Sequence, residues 1–156
     1  MILAAGLGKR LRPVTDTIPK ALVEVGGRTL LEMAIIHLAS SGVKEIIINV
    51  HHFAGQIIEY LEKKKNFGLD VTISDESDQL LDTGGGMKKA AWFFEKGEPF
   101  IVRNVDVISD LDLKTMMDHH LQSGAIATLA VRRRETSRYF LFDPDHRTAS
   151  VAMAPD

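Results

Sequence analysis

A short apolar run, Met1 to Ala5, breaks into Gly6-Leu7-Gly8 and then into Lys9-Arg10-Leu11-Arg12-Pro13, with Ile18-Pro19-Lys20-Ala21-Leu22 a few residues further on. A strand that ends in two small residues and a Gly-x-Gly turn leaves its backbone N–H groups open to a ligand, with no side chain in the way. Such a turn suits phosphate. Lys9, Arg10 and Arg12 come at once, and Lys20 stands just after a proline that keeps its backbone extended or turned. Cations gathered around one glycine loop are the complement of a polyanion. An ordinary strand-to-helix turn is the competing explanation for a lone Gly-x-Gly. Two commoner nucleotide loops are excluded. A dinucleotide fingerprint needs a third glycine where Leu11 stands, and a Walker A loop needs glycine at Leu3 and Ser or Thr at Arg10.

Beyond the loop, the chain alternates between strand and helix patterns. Residues 1–5 predict a first strand, 6–20 a ligand loop containing one helical turn, and Leu22 to Val25 a short extended piece turned by Gly26-Gly27. From Thr29 to Ser41, Leu30, Leu31, Ala34, Ile35, Leu38 and Ala39 recur at helical spacing before Gly42. Glu45 to Val50 is a continuous β-branched run, as in a strand covered on both faces. Helix is predicted over 55–65, 84–94 and 111–123, and strand over 69–73, 100–104, 125–131 and 139–142, the last succeeded by a turn at Asp143-Pro144-Asp145. The 125–131 run reads as a buried strand, and the tail from Arg147 has no clear pattern. Strands alternating with helices predict an α/β fold, a three-layer Rossmann-like sandwich with a mostly parallel sheet.

At 156 residues the chain is the size of one domain, 1–156, able to bury a core. A formal net charge of -2 gives no global basic field for nucleic acid or an anionic membrane. No apolar stretch is long enough to span a bilayer, and the N-terminus lacks the pattern of a signal peptide. Cysteine is absent, which excludes disulfides and thiolate metal sites and fits a cytoplasmic location.

Outside the loop, Asp106 stands at the carboxyl end of a predicted strand, where ligands bind in open α/β sheets. A carboxylate there suits Mg²⁺, which takes oxygen ligands and is usually completed by waters and substrate phosphates. It equally suits a helix N-cap, as do Ser109, Asp110 and Asp112. The glycines of Asp82-Thr83-Gly84-Gly85-Gly86 are costly in a helix, so either a group packs against that backbone or the segment is a loop. His51 and His52, adjacent on an extended segment, point to opposite faces and do not readily serve one metal. His119 and His120 read as a polar helix face, Lys63-Lys64-Lys65 as a solvated helix end, and Arg132-Arg133-Arg134 as a solvated loop. Met116, Met117 and Trp92 read as core.

The long pattern Leu-Ala-Ala-Gly-x-Gly-x-Arg-Leu-x-Pro-x-Thr and then Pro-Lys-x-Leu, over residues 3–22, resembles the signature of the sugar-1-phosphate nucleotidylyltransferases. Leu81 to Gly86 and Val102 to Asp106 extend the likeness over most of the chain, most closely to small single-domain uridylyl- and guanylyl-transferring members. The resemblance implies the nucleotide-diphospho-sugar transferase fold and Mg²⁺-dependent transfer of a nucleotidyl group from an NTP to a sugar 1-phosphate, with release of pyrophosphate. It implies that Leu3, Ala4, Ala5, Gly6 and Gly8 hold the nucleotide, with Arg10 on the β and γ phosphates and Lys20 near the α-phosphate or the attacking phosphate. Asp106 becomes a catalytic residue as the metal ligand, Asp82, Thr83 and Gly84 lie against base and ribose, and Asn104 contacts the acceptor. Val105 stands where the family carries glycine. UTP is the favoured NTP, from the likeness of Leu81–Gly86 to uridylyl-transferring members. Family members run well beyond 200 residues, so a complete NTP site with an incomplete sugar site, truncated at the C-terminus, is expected. Two other functions keep the same loop: cytidylyl transfer to choline phosphate, and a nucleotide-sensing module without catalysis. A flavodoxin-like binding domain of unrelated activity is a further alternative.

Overall fold

Residues 1–132, 135, 138–142 and 148–153 are described by the computed structural model. Within residues 1–124 the chain order is β1 (Ile2–Leu3), the hairpin β2 (Glu24–Val25) and β3 (Arg28–Thr29), α1 (Leu30–Ser40), β4 (Glu45–Val50), α2 (Ala54–Lys63), β5 (Asp70–Asp75), α3 (Asp82–Lys89), β6 (Arg103–Asn104) and α4 (Leu113–Ser123). The main sheet has four strands in the order β5-β4-β1-β6, and every pair in it is parallel.

The β-branched run at β4 is what a strand buried on both faces requires. Successive side chains point to opposite sides. Ile46, Ile48 and Val50 therefore join Ile2 in one core with Leu31, Ile35 and Leu38 of α1, Ile57 and Leu61 of α2 and Leu113 of α4. Ile47 points the other way and packs with Met1 and Leu3 at the first strand and with Met87, Ala90, Phe93 and Phe94 of α3 and the segment after it. Helices on both faces make the three layers that the alternating pattern predicts.

Local chemistry sets the helix starts. Thr29 caps α1, its Oγ1 accepting from the Glu32 N–H at 3.0 Å. Asp112 caps α4, with Oδ1 accepting from the N–H groups of Lys114 at 2.9 Å and Thr115 at 3.1 Å. These bonds and the Thr115 hydroxyl hold the Asp112 carboxyl below its ordinary pKa. Lys64, in the lysine run after α2, is exposed but reaches Glu32 at 3.4 Å and lies over the Tyr60 and Phe67 rings.

Residues 125–156 form a second unit. Its described strands, β7 (Arg138–Phe142) and β8 (Thr148–Met153), pair antiparallel with a register shift between Leu141 and Phe142. The patternless tail thus contains a strand. The turn at 143–145, Arg133 and Arg134 lie outside the described residues, while Arg132 is exposed. The buried strand predicted at 125–131 is not found: the segment is in no strand, and Ile126, Leu129 and Val131 are exposed. β-branched composition favours a strand only where a neighbouring ladder takes it up. Trp92 is another correction, 70% exposed rather than core, because it projects from the 3-10 turn while its neighbours Phe93 and Phe94 take the inner face. The helix expected over 84–94 is shorter and begins earlier, at Asp82, and the strand expected over 100–104 narrows to two residues.

Candidate active site

The order β5-β4-β1-β6 places the first strand in the interior of the sheet. From β1 the chain builds outward through β4 to β5, then returns across α3 to add β6 on the other side of β1. The gap between β1 and β6 is thus the topological switch point, outside whose carboxyl ends ligands bind. A cleft of about 880 Å³ lies there. Leu3, Ala5, Gly6, Gly8, Arg10, Lys20, Asp82, Thr83, Asn104 and Asp106 all line it. Residues far apart in sequence converge on one space. Ala4 and Gly84, the two other residues singled out from the sequence, do not line it: Ala4 is buried, and Gly84 is exposed beside its wall.

The loop is shaped from below. Gly8 has φ +63°, and a Cβ there would come within 2.9 Å of Thr15 Cγ2 and 3.1 Å of Lys20 Cβ. Thr15, buried, donates its hydroxyl to Gly8 O at 2.9 Å, and Leu11 N–H donates to the same oxygen at 2.8 Å. Gly6, by contrast, has nothing within 4 Å of where a Cβ would be. Of the four cations in the opening stretch, Lys9, Arg10 and Lys20 line the cleft. Arg12 does not; it pairs with Asp16 at 3.2 Å.

Lys20 begins a 3-10 turn pinned by Ala21, which is fully buried in the core shared with α1. Opposite it, Val105 N–H donates to Leu3 O at 3.1 Å, extending the β1–β6 ladder up to the residue before Asp106. Valine in place of the expected glycine is therefore a buried anchor. The result is an ion pair between Lys20 Nζ and Asp106 Oδ2. The capping role open to Asp106 falls to Asp112 instead.

Beneath Asn104, the half-buried Arg103 guanidinium contacts His37 Nδ1 at 2.8 Å, and burial pushes its pKa down. His37 Nε2 lies 2.9 Å from Leu111 O, so this histidine braces the segment that carries Asp106. His51 Nδ1 lies 2.6 Å from Glu76 O, and the His52 and Phe53 rings are in contact. The two histidines do not share a site, and among the described residues no group of three or more His, Cys, Asp or Glu side chains is placed to hold a metal.

Two further side chains at the cleft carry no local signal in the sequence. Asn49 lines the cleft and accepts from Ala4 N–H at 2.7 Å, and the buried Glu76 lies behind it. Their one trace is the glycine cluster: a Cβ on Gly86 would meet Glu76 Oε1 at 2.7 Å and Asn49 Nδ2 at 2.9 Å. Protein, then, is what packs against that part of the glycine run.

A parallel sheet covered on both faces, with a glycine loop at the carboxyl edge of its switch point, is a Rossmann-like α/β fold. The chain belongs to the nucleotidyl transferase family, which matches residues 1–152. It is 44% identical over 110 residues to the N-acetylmuramate alpha-1-phosphate uridylyltransferase of Caulobacter vibrioides, covering 69% of this chain and 45% of that one. It is 36% identical over 154 residues to the mannose-1-phosphate guanyltransferase of Candida albicans, covering 97% of this chain and 42% of that one. The crystal structure of HddC from Yersinia pseudotuberculosis complexed with GMP-PN superposes with a TM-score of 0.76 at 27% identity, over 97% of this chain and 67% of that chain. The chain thus spans less than half the length of either sequence relative.

Proposed function

We propose that the chain is the nucleotide-holding part of a single-domain sugar-1-phosphate nucleotidyltransferase. The observation that carries the reading is the convergence of the glycine loop, Arg10 and the Lys20–Asp106 pair on one cleft at the switch point. In the reaction, a phosphate oxygen of the sugar 1-phosphate bonds to the α-phosphorus of an NTP while the bond to the bridging β-phosphate oxygen breaks, and pyrophosphate leaves. Both reactants are anions, so the protein's work is positioning and charge neutralisation, without a covalent nucleophile. The amides of Gly6 to Gly8 and the planar fork of Arg10 suit the departing β and γ phosphates. Lys20 brings a point charge to the side where the α-phosphate is attacked. Asp82 and Thr83 face the base and ribose, and Asn104 faces the acceptor.

Mg²⁺ is the cofactor of this reading. Asp106 supplies a hard oxygen donor at the cleft, and such an ion needs only one or two protein carboxylates when substrate phosphates and water complete its shell. When bound it neutralises phosphate charge. The favoured NTP is UTP, on the identity to the Caulobacter uridylyltransferase, although a guanyltransferase covers more of the chain. Among the described residues no helix is long and apolar enough to cross a membrane, in keeping with a soluble, cytoplasmic enzyme.

The test is to incubate the protein with Mg²⁺, each NTP and a panel of sugar 1-phosphates and choline phosphate while measuring pyrophosphate. Release with UTP and one sugar phosphate is the expected result. Saturable NTP binding without pyrophosphate from any acceptor would assign a nucleotide-sensing role, and absence of NTP binding would sink the reading altogether.

A further inference from the structure

Glu76 is fully buried, yet among the described residues no cation pairs with it. Its carboxylate receives two hydrogen bonds, Oε1 from Asn49 Nδ2 at 2.8 Å and Oε2 from Leu81 N–H at 3.2 Å. Asn49 passes the polarity on, its Oδ1 accepting from Ala4 N–H at 2.7 Å. Ala4 leads into the glycine loop, and Leu81 leads into Asp82 and Thr83 on the opposite wall. The main chain of Glu76 is itself clamped, its N–H donating to Val50 O at 2.8 Å and its carbonyl facing His51 Nδ1 at 2.6 Å.

These bonds form a relay with one direction. Two backbone N–H groups, one behind each wall, must find acceptors, and a buried donor left without one is costly. An ionised carboxylate is an acceptor only, whereas an amide carries donors on one side. With glutamine in place of Glu76, an NH₂ would face Asn49 or Leu81, and turning Asn49 over would only move the mismatch to Ala4. Gly86 completes the seat, since no Cβ fits beside Glu76 and Asn49 there.

We propose that Glu76 is a positioning residue which, through Asn49, holds the loop wall and the α3 wall of the cleft in register. NTP affinity then depends on a side chain that does not line the cleft. The proposal rests on the nucleotidyl-transfer reading for its kinetic consequence, but not for its structural one.

The test uses E76Q and the double variant N49D/E76Q in the nucleotide-free chain and in the pyrophosphate assay with UTP. The double variant keeps every donor matched: the carboxylate at position 49 accepts from Ala4 N–H and from the new amide, whose oxygen accepts from Leu81 N–H. In E76Q, amide hydrogen exchange should accelerate at both Ala4 and Leu81. The KM for UTP should rise about tenfold or more while that for the sugar phosphate stays within about twofold, and the double variant, whose new carboxylate lines the cleft and so is not judged by KM, should restore slow exchange at both amides. Unchanged exchange at Ala4 in E76Q, or an unchanged KM for UTP, overturns the proposal. If E76Q does not fold, the double variant decides: a folded protein with both amides protected supports the relay, and failure to fold overturns it. If the unaltered chain binds no NTP, the reading of the cleft fails, and the exchange rates still judge the relay.

Discussion

Gly6 and Gly8 stand two residues apart and have different reasons for being glycine. At Gly8 the backbone is left-handed and a Cβ would press on Thr15 and Lys20. Gly8→Ala should therefore destabilise the fold by about 1–3 kcal/mol, seen as a lower urea midpoint. Gly6 faces open cleft, so Gly6→Ala should leave the unfolding free energy within about 0.5 kcal/mol of the parent while weakening NTP binding, which a calorimetric titration separates. Asp106 is the third residue with a sharp expectation. Removing its charge with Asp106→Asn leaves Lys20 without its ion-pair partner and removes the only carboxylate proposed for the metal. Pyrophosphate release should fall by about 10²–10³-fold. Full activity in that variant would remove Asp106 from the site. At this scale the glycine loop, Arg10 and Lys20 were legible because their residue types stand next to recognisable breaks in strand pattern, whereas Asp106 by position alone suited a helix cap as well as a metal. Asn49 and Glu76 were not, since a buried hydrogen-bond partner is defined by what lies across from it.

Among the elements, the two capped helices show how much a start signal can settle. Four residues before α4 qualified as caps by type, and only Asp112 has the bonds to Lys114 and Thr115. Those bonds stabilise the ionised form, so its pKa in the folded chain lies below the ordinary 3.8. The cap's contribution is accordingly present above that ordinary value and is lost as pH falls through the lower folded one. The amide chemical shifts of Lys114 and Thr115 should therefore change together with a midpoint below the ordinary 3.8, and Asp112→Ala should abolish that step. For α1, Thr29→Ala removes the bond to Glu32 N–H and should cost about 1 kcal/mol in thermal or urea unfolding. Helices were readable in advance because their apolar period spans three or four residues, whereas the sequence left four cap candidates before α4 and named none for α1. The strand at β8 was not, because its alternation is weak and its partner, β7, is a separate stretch of the chain.

Across the whole molecule, two isoleucines make the contrast between composition and context. Both Ile48 and Ile126 sit in runs that read as buried strands. Ile48 is fully buried in the core between the sheet and α1, whereas Ile126 is fully exposed. Ile48→Ala should destabilise residues 1–124 by about 2–5 kcal/mol, and Ile126→Ser by under about 0.5 kcal/mol. Equal losses in urea unfolding would contradict the difference in burial. What the sequence alone determined is whatever depends on neighbours along the chain: the glycine turn, the helix periods, and a β4 apolar enough to demand cover on both faces. Tertiary structure decided what depends on neighbours across space. It left residues 125–131 outside any ladder, paired Asp106 with Lys20, and set Glu76 behind both walls of the cleft. Pairing and burial are settled by non-local contacts, and no window of sequence contains both partners.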